Sequence, residues 1–262
     1  MSEVALFIHS TATGPFMWTP FMAGRPEGMG AIAPVNRGYS PQDLLPRGTP
    51  FSVDEEVKHL KAQIPAGTTG VHLVAHSYGG FAALTLAQDL AQVAEVPVRS
   101  LCLIEPVLFG SLRAEEHALS AELIDQMANL YGAPNYLLNE EIGGSEEWIE
   151  RFVDYWNQPG MWALMPEKAK TMTRMVGWKM FQEVRMVSTE PKAFEHYRVD
   201  VPLTLVYGEH TTAPAKEMVR RLAEVNPHAH VEMLPGQGHM AVVGAQQAVL
   251  PALAGHWARM AA

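Results

Sequence analysis

The ten residues 71–80, VHLVAHSYGG, join an apolar run to the start of an Ala- and Leu-rich helical pattern. Ser77 falls at the junction, where a buried strand would turn tightly into a helix. Such a turn needs small residues two places before and after the serine, here Ala75 and Gly79, because the chain nearly folds onto itself. The turn lifts the hydroxyl out of the carboxyl edge of the sheet and directs the Tyr78 N–H toward a developing oxyanion. We therefore predict that Ser77 is a nucleophile and that Tyr78 contributes to an oxyanion hole.

Short apolar runs of this kind recur along the chain, and helical patterns separate most of them. Runs of this length indicate buried strands. One helical pattern begins with a capping box formed by Ser52 and Glu55. The alternation predicts a mostly parallel six-stranded sheet with helices on both faces. The predicted strands cover residues 4–8, 31–35, 71–75, 100–104, 203–207 and 231–234, and the later helices cover 78–90, 214–225 and 242–257, with Pro251 at a break or a start within the last one.

Helical patterns without a convincing strand fill residues 111–200. We interpret this stretch as a helical cap, or lid, inserted into an α/β core formed by residues 1–110 and 201–262. The cap is rich in Trp and Met, and two interpretations of these side chains stay open. They pack a small core of their own, or they line an apolar pocket, since Trp and Met adapt to irregular ligands.

The composition excludes several classes of partner. With 19 Lys and Arg against 28 Asp and Glu, the formal charge is −9, which argues against nucleic acid. No apolar run approaches the ~20 residues of a membrane-spanning helix, so no membrane partner is predicted. The single cysteine, Cys102, excludes an intrachain disulfide and a CxxC site, and we predict no metal site. The N-terminus lacks the basic region of a signal peptide, and a cytoplasmic location is the expectation.

Two loops carry the remaining candidates for the reaction. A loop of small residues, 9–14, follows the first predicted strand, and a glycine-containing loop, 236–240, follows the last. The first loop can supply a second backbone donor to the oxyanion, and the Thr11 N–H is the candidate. A histidine on the second loop can reach over the sheet edge to the serine. We therefore predict that His239 takes the Ser77 proton as general base and returns it to the leaving group.

With this nucleophile and this order of residues, the sequence resembles the α/β-hydrolase superfamily over essentially its whole length. Residues 36–40, NRGYS, resemble the family's DxRGxGxS loop, with Asn36 in place of the acid. Ala75 replaces the first glycine of GxSxG. Ser10 replaces the glycine of the family's HG oxyanion motif, as in plant hydroxynitrile lyases and their esterase relatives. The resemblance implies an α/β-hydrolase fold with an inserted cap, lacking the first two strands of the usual fold.

The acidic residue departs from the family pattern. The family usually carries Asp three residues after a glycine that ends the penultimate strand, and here that position is Thr211, which cannot orient a histidine as a carboxylate does. Glu105 ends the strand after the nucleophile helix, where an unpaired charge would be costly. Some haloalkane dehalogenases of the superfamily resemble this arrangement. Glu105 is therefore the predicted acid, with Glu209 as the alternative.

Together these residues predict a serine hydrolase that cleaves carboxylic esters of small, largely apolar molecules through a Ser-His-Glu triad and an acyl-enzyme. A lactonase, a carbon–carbon bond hydrolase or a hydroxynitrile-lyase-like enzyme is the alternative on the same site, and a small-molecule receptor that retains the site belongs to another class. Dehalogenation is disfavoured because it needs a carboxylate nucleophile. No motif implies a cofactor, and the oligomeric state stays open. The residues predicted for the substrate pocket are Ser10, His76, Trp148, Trp156, Trp162 and Met240.

Overall fold

The computed structural model describes residues 2–93, 96–131 and 136–260. Its strands are β1 (Val4–Ile8), β2 (Gly30–Ile32), β3 (Val71–His76), β4 (Val98–Ile104), β5 (Leu203–Gly208) and β6 (His230–Leu234). They form one parallel sheet in the order β2-β1-β3-β4-β5-β6. The predicted six-stranded parallel sheet is confirmed. β2 ends earlier than predicted, before Pro34, which has no N–H to donate to a neighbouring strand.

Helices fill the connections between the strands. The predicted capping box is present, with the Ser52 hydroxyl accepting from the Glu55 N–H and the Glu55 carboxylate accepting in return. The helices are α1 (Thr19–Ala23), α2 (Val53–Lys61), α3 (Tyr78–Val93), α4 (Phe109–Ala114), α5 (Ala121–Tyr131), α6 (Glu146–Trp156), α7 (Met161–Leu164), α8 (Glu167–Met175), α9 (Gly177–Thr189), α10 (Ala213–Val225), α11 (Ala241–Gly244) and α12 (Gln246–Met260). Short 3-10 turns cover Pro15–Trp18, Glu116–Ala118, Tyr136–Leu138 and Phe194–Tyr197.

The predicted position of the break in the last helix was wrong. The break falls at Ala245, between α11 and α12. Pro251 lies inside α12, where it removes one helical hydrogen bond without ending the helix. Burial of Val249 and Leu253 on either side of the proline holds this part of α12 against the sheet.

Each face of the sheet has its own apolar core, because alternate residues of a strand point to opposite sides. Leu73 and Leu103 face the side that α2 and α3 cover, together with the helices between β4 and β5. Val74 and Cys102 face the side that α1 and α12 cover. All four side chains are fully buried, as expected for strands covered on both faces.

The strand order determines where a site can form. The chain passes from β1 to β2 on one side and then returns to place β3 on the other side of β1. The carboxyl ends of β1 and β3 therefore flank the point where the order reverses, which is where open α/β sheets bind ligands. Thr11 follows β1 and Ser77 follows β3 directly. Between β4 and β5, the described residues form helices and turns without a strand.

Candidate active site

Ser77 lies on the sharp turn between β3 and α3, with a left-handed φ of 56°. A left-handed φ is unfavourable for a residue with a side chain, so the surrounding bonds must hold the turn. The Ser77 N–H donates to the Ile104 carbonyl at 3.0 Å. Its carbonyl accepts from the N–H groups of Gly80 at 2.8 Å and Val107 at 3.3 Å. Ser77 is thus anchored to the adjacent strand β4 and to the segment that follows it.

Gly79 is required by the close approach of α3 to β1. A Cβ at this position would lie 2.4 Å from the carbonyl oxygen of Ile8 and 2.8 Å from that of His9. A Cβ at Gly80 would lie 2.6 Å from the Cβ of Pro106. The sequence pattern predicts a small residue at position 79 for the turn alone. The structure shows that it also lets the first turn of α3 press against the end of β1, just before the loop that carries Thr11.

The three predicted triad residues form one continuous hydrogen-bonded chain. The Ser77 hydroxyl donates to His239 Nε2 at 2.9 Å, and His239 Nδ1–H donates to Glu105 Oε2 at 2.6 Å. All three side chains are buried, and His239 lies on the loop between β6 and α11. In this arrangement a histidine can take the hydroxyl proton while the carboxylate orients the ring and stabilises its charged form.

Glu105 is held by donors from β5 and the following loop as well as by the histidine. The Gly208 N–H donates to Oε1 at 2.8 Å, and the Thr211 hydroxyl donates to Oε2 at 2.6 Å. Burial alone would raise the pKa of Glu105. The charge and hydrogen bond of His239, together with the hydrogen bonds from Thr211 and Gly208, outweigh the effect of burial. They keep the pKa of Glu105 below its usual value. The carboxylate is therefore ionised in this environment.

Thr211 is a site residue that the sequence analysis did not recognise. It stands where the resemblance places an aspartate, and its hydroxyl bonds the same carboxylate oxygen that accepts from His239. The alternative acid, Glu209, lies elsewhere and accepts from the Gly236 N–H at 2.8 Å. The signal for Thr211 was its position alone, and its partner could be found only from the pairing of β4 with β5.

The two predicted oxyanion donors, the N–H groups of Thr11 and Tyr78, belong to the loop after β1 and to the start of α3. Thr11, Ser77 and Tyr78 border one small space. The Tyr78 N–H belongs to the first turn of α3, where N–H groups have no partner within the helix and the helix dipole favours negative charge.

A buried ionic group holds the loop that carries Thr11. Lys179 of α9 donates to Glu56 of α2 at 2.7 Å and to Glu183 of α9 at 2.6 Å. The Tyr78 hydroxyl donates to Glu56 at 2.9 Å, and the Tyr39 hydroxyl donates to Glu183 at 2.8 Å. We call these five residues the Lys179 cluster. Its three charged side chains are at most 1% exposed.

The Lys179 cluster reaches the oxyanion loop through two contacts. The Ala12 N–H donates to the Tyr39 hydroxyl at 3.0 Å, and the Thr11 side chain is hydrogen-bonded to Glu183. Ala12 has a left-handed φ of 61°, so the loop conformation needs such support. Little in the sequence indicates this cluster, because only the spacing of Lys179 and Glu183 on one helix is visible there.

Two aromatic rings pack against His239. Trp156 of α6 stacks on it with ring centroids 3.8 Å apart and planes 26° apart. The His76 ring lies 4.8 Å away, and its Nε2–H donates to the His239 carbonyl at 2.9 Å. Burial lowers the pKa of His76 to about 3, with a further contribution from His239, so His76 is neutral. These contacts restrict the orientation of the His239 ring.

A model of the alpha/beta hydrolase family matches residues 5–252. The chain belongs to the alpha/beta hydrolase family. The match spans the strands, the nucleophile turn and the histidine loop, and it confirms the resemblance drawn from the sequence. A search of curated proteins found no significant match.

Solved structures share the fold of this alpha/beta hydrolase at low identity. MenH from S. aureus is 15% identical with a TM-score of 0.65, over 99% of this chain and 95% of that one. The enol-lactonase from Burkholderia xenovorans LB400 is 14% identical with a TM-score of 0.63, over 98% and 92%. The haloalkane dehalogenase DbeA-M1 loop variant from Bradyrhizobium elkanii is 18% identical with a TM-score of 0.68, over 99% and 90%. At these identities the likeness is one of fold alone.

A cavity of about 590 Å³ opens onto Ser77 and His239 in this hydrolase. Its wall combines the Thr11 loop, α6, α8 and the His239 loop. None of the described residues that line it is Lys, Arg, Asp or Glu. Four methionines of the segment that carries α7 and α8 contribute flexible apolar surface, namely Met161, Met165, Met172 and Met175.

Three of the six predicted pocket residues line this cavity and three do not. Those in the wall are Ser10, Trp156 and Met240. His76 lies behind His239, as described above. Trp148 is fully buried and donates its Nε1–H to the Leu137 carbonyl at 3.1 Å, and Trp162 packs beneath Lys170 and Arg174. These last two predictions were wrong, because both indoles pack the interior of the helical segment.

In the part of the chain that the structure describes, no group of three or more His, Cys, Asp or Glu side chains is placed to hold a metal ion. None of the described helices combines the length and the apolar composition needed to cross a bilayer.

Proposed function

We propose that this protein is a serine hydrolase that cleaves neutral, largely apolar carboxylic esters. The observation that carries the proposal is the unbroken chain of hydrogen bonds from the Ser77 hydroxyl through His239 to Glu105. In serine hydrolases this chain converts a weak hydroxyl into a nucleophile at neutral pH.

In the first half of the reaction, Ser77 Oγ attacks the ester carbonyl and His239 Nε2 takes its proton. The N–H groups of Thr11 and Tyr78 stabilise the oxyanion that forms. Each such donor contributes about 2.7–4 kcal/mol of transition-state stabilisation where it has been measured. His239 then gives the proton to the alcohol oxygen as the C–O bond breaks, and the acyl group stays on Ser77.

In the second half, water attacks the acyl-enzyme. His239 takes a proton from this water and returns it to Ser77 Oγ when the carboxylic acid leaves. Glu105 remains a carboxylate throughout and stabilises the imidazolium form of His239 in both halves. No step needs a cofactor.

The cavity wall supports a neutral, apolar substrate. No described charged side chain borders the cavity to pair with a substrate carboxylate or phosphate, and burying an unpaired charge there would be costly. Residues 111–200 act as the cap in this proposal, since Trp156 and the methionines of α7 and α8 form much of the wall.

The test compares wild type and Ser77→Ala in two measurements. One is the hydrolysis of 4-nitrophenyl acetate, and the other is covalent labelling by a fluorophosphonate. We expect wild type to turn over and to carry one label on Ser77, read by mass spectrometry of its peptide. Ser77→Ala should lose turnover and label while its circular dichroism is unchanged.

The matched control is Ser120→Ala, at an exposed serine outside the cavity. It should retain full labelling and turnover. Unchanged esterase activity in Ser77→Ala would contradict the proposal.

A further inference from the structure

Ser77 stands between two chambers of very unequal size. The large chamber is the cavity of about 590 Å³ already described. The small chamber has a volume of about 20 Å³ and is walled by apolar side chains that include Val107, Val184 and Val187. Ser77, Thr11, Phe152 and Trp156 border both chambers, so the chambers meet at the nucleophile.

The two chambers differ in which reactive groups they contain. His239 borders the large chamber and is absent from the wall of the small one. Tyr78, whose N–H is the proposed oxyanion donor at the end of α3, borders the small chamber and is absent from the wall of the large one. The ester carbon must therefore sit at the junction, with its oxygen toward Thr11 and Tyr78.

This difference determines the orientation of the ester. After Ser77 Oγ bonds to the carbonyl carbon, the alcohol oxygen must receive the proton that His239 Nε2 carries, because otherwise the C–O bond cannot break to a neutral alcohol. The alcohol side must then extend into the chamber that His239 borders. The acyl side, which stays bonded to Ser77, is left with the small chamber.

The volumes translate this orientation into a size limit. A cavity needs about 10–15 Å³ to hold one water molecule, so 20 Å³ accommodates a methyl group and little more. The large chamber lies in the range that binds whole small-molecule ligands. At its border, Phe16 is 62% exposed and Met172 is 57% exposed, which extends the apolar surface outward.

We propose that the enzyme is an acetyl-esterase of bulky apolar alcohols, with the acetyl methyl in the small chamber and the alcohol in the large one. This inference rests on the proposed ester hydrolysis at Ser77. It adds the direction in which the ester binds and the limit on its acyl chain.

The experiment uses two constitutional isomers, octyl acetate and ethyl octanoate, which have the same atoms and exchange the long chain between alcohol and acid. We expect kcat/KM for octyl acetate to exceed that for ethyl octanoate at least tenfold. Equal values, or a preference for ethyl octanoate, would overturn the orientation while leaving ester hydrolysis intact. Failure of both isomers, with Ser77 unlabelled by the fluorophosphonate, would overturn the proposed function and the inference together.

A variant in the small chamber sharpens the test. Val187→Ala on α9 enlarges the chamber, so the ratio of 4-nitrophenyl butyrate to acetate turnover should rise at least fivefold. Val184→Ala, one turn earlier, is the second variant, and thermal unfolding reports whether each is folded. Met172→Ala, in the large chamber, is the matched control and should leave the butyrate-to-acetate ratio unchanged. An unchanged ratio in both folded valine variants would overturn the size limit.

Discussion

Glu105 and Glu183 are both buried carboxylates of this hydrolase, yet their pKa values shift in opposite directions. Burial, the largest influence, raises the pKa of Glu183, and together with the nearby Glu56 it outweighs the charge and hydrogen bond of Lys179. Burial also acts on Glu105, but His239, Thr211 and the Gly208 N–H together outweigh it.

The comparison teaches that a second carboxylate sharing the same cation, rather than the number of donors, decides the state of a buried acid. Around Glu105, three donors serve one carboxylate. In the Lys179 cluster, Glu56 and Glu183 also accept from hydroxyl groups, but the two carboxylates share one ammonium group and repel each other. The first arrangement keeps an anion ready to stabilise an imidazolium. The second ties α9 to α2 and to the oxyanion loop, and its value is structural.

The largest expected effect comes from removing the charge of Glu105. Glu105→Gln keeps the size of the side chain but no longer stabilises the protonated histidine or fixes its tautomer, so kcat on 4-nitrophenyl acetate should fall about 10⁴-fold. Glu209→Gln is the matched control and should stay within twofold of wild type. A similar fall in both variants would mean that Glu105 is not the triad acid.

The second effect is on stability. Lys179→Met leaves Glu56 and Glu183 buried without a cation, and the free energy of unfolding should fall by about 3–5 kcal/mol. Urea denaturation measures it. Lys168→Met, on the exposed side of α8, should change it by less than about 0.5 kcal/mol. A loss below 1 kcal/mol for Lys179→Met would show that the cluster is not held by its charge.

The third effect concerns pH and His76. Its folded pKa of about 3 lies below the ordinary 6.5, so the unfolded chain binds a proton below pH 6.5 that the folded protein does not bind. Stability is therefore lost as pH falls from 6.5 toward 3, at about 1.4 kcal/mol per pH unit for this residue.

His76→Gln should flatten the curve of unfolding free energy between pH 6.5 and 5 by about that slope, because Gln does not titrate. His117→Gln, at an exposed site, should leave the curve as in wild type. An unchanged slope in His76→Gln would show that His76 titrates normally in the folded protein.

The smallest effect tests how many donors Glu105 needs. Thr211→Val removes one donor and leaves those of His239 and Gly208, so kcat should fall about tenfold with KM unchanged. The acidic limb of the kcat profile should move to higher pH, because the pKa of Glu105 rises when a hydrogen bond to its charged form is lost. Thr211→Ser should restore both. A loss of activity without movement of the acidic limb would point to a packing effect of the methyl group that replaces the hydroxyl instead.

Much of the fold could be predicted because its signals are local. The run before Ser77 and the pattern after it define β3 and α3 within about twenty residues, and the predicted β1 matches the observed bounds, Val4–Ile8. The errors were local as well. Pro34 shortens β2. Pro251 is tolerated inside α12 because buried residues before and after the proline pack the helix against the sheet.

Pocket assignment was less successful because residue type does not reveal which way a helix faces. Trp148 and Trp156 lie on the same helix, eight residues apart, and only Trp156 reaches His239. The difference arises from the packing of α6 on its neighbours, which turns Trp148 toward Leu137.

By itself, the sequence determined the alternation of strands and helices, the sharp turn at Ser77 and the family. Each of these depends on residues that lie close together within strand–turn–helix units. Only the tertiary structure decided which groups meet. Glu105 and His239 are 134 positions apart, and Glu56 and Lys179 are 123 apart. The pairing of β4 with β5 brings Thr211 to Glu105, and the packing of α9 brings Lys179 to Glu56. The physical reason is that a buried charge is stabilised by whichever partners the fold delivers, and these come from segments that are distant in sequence.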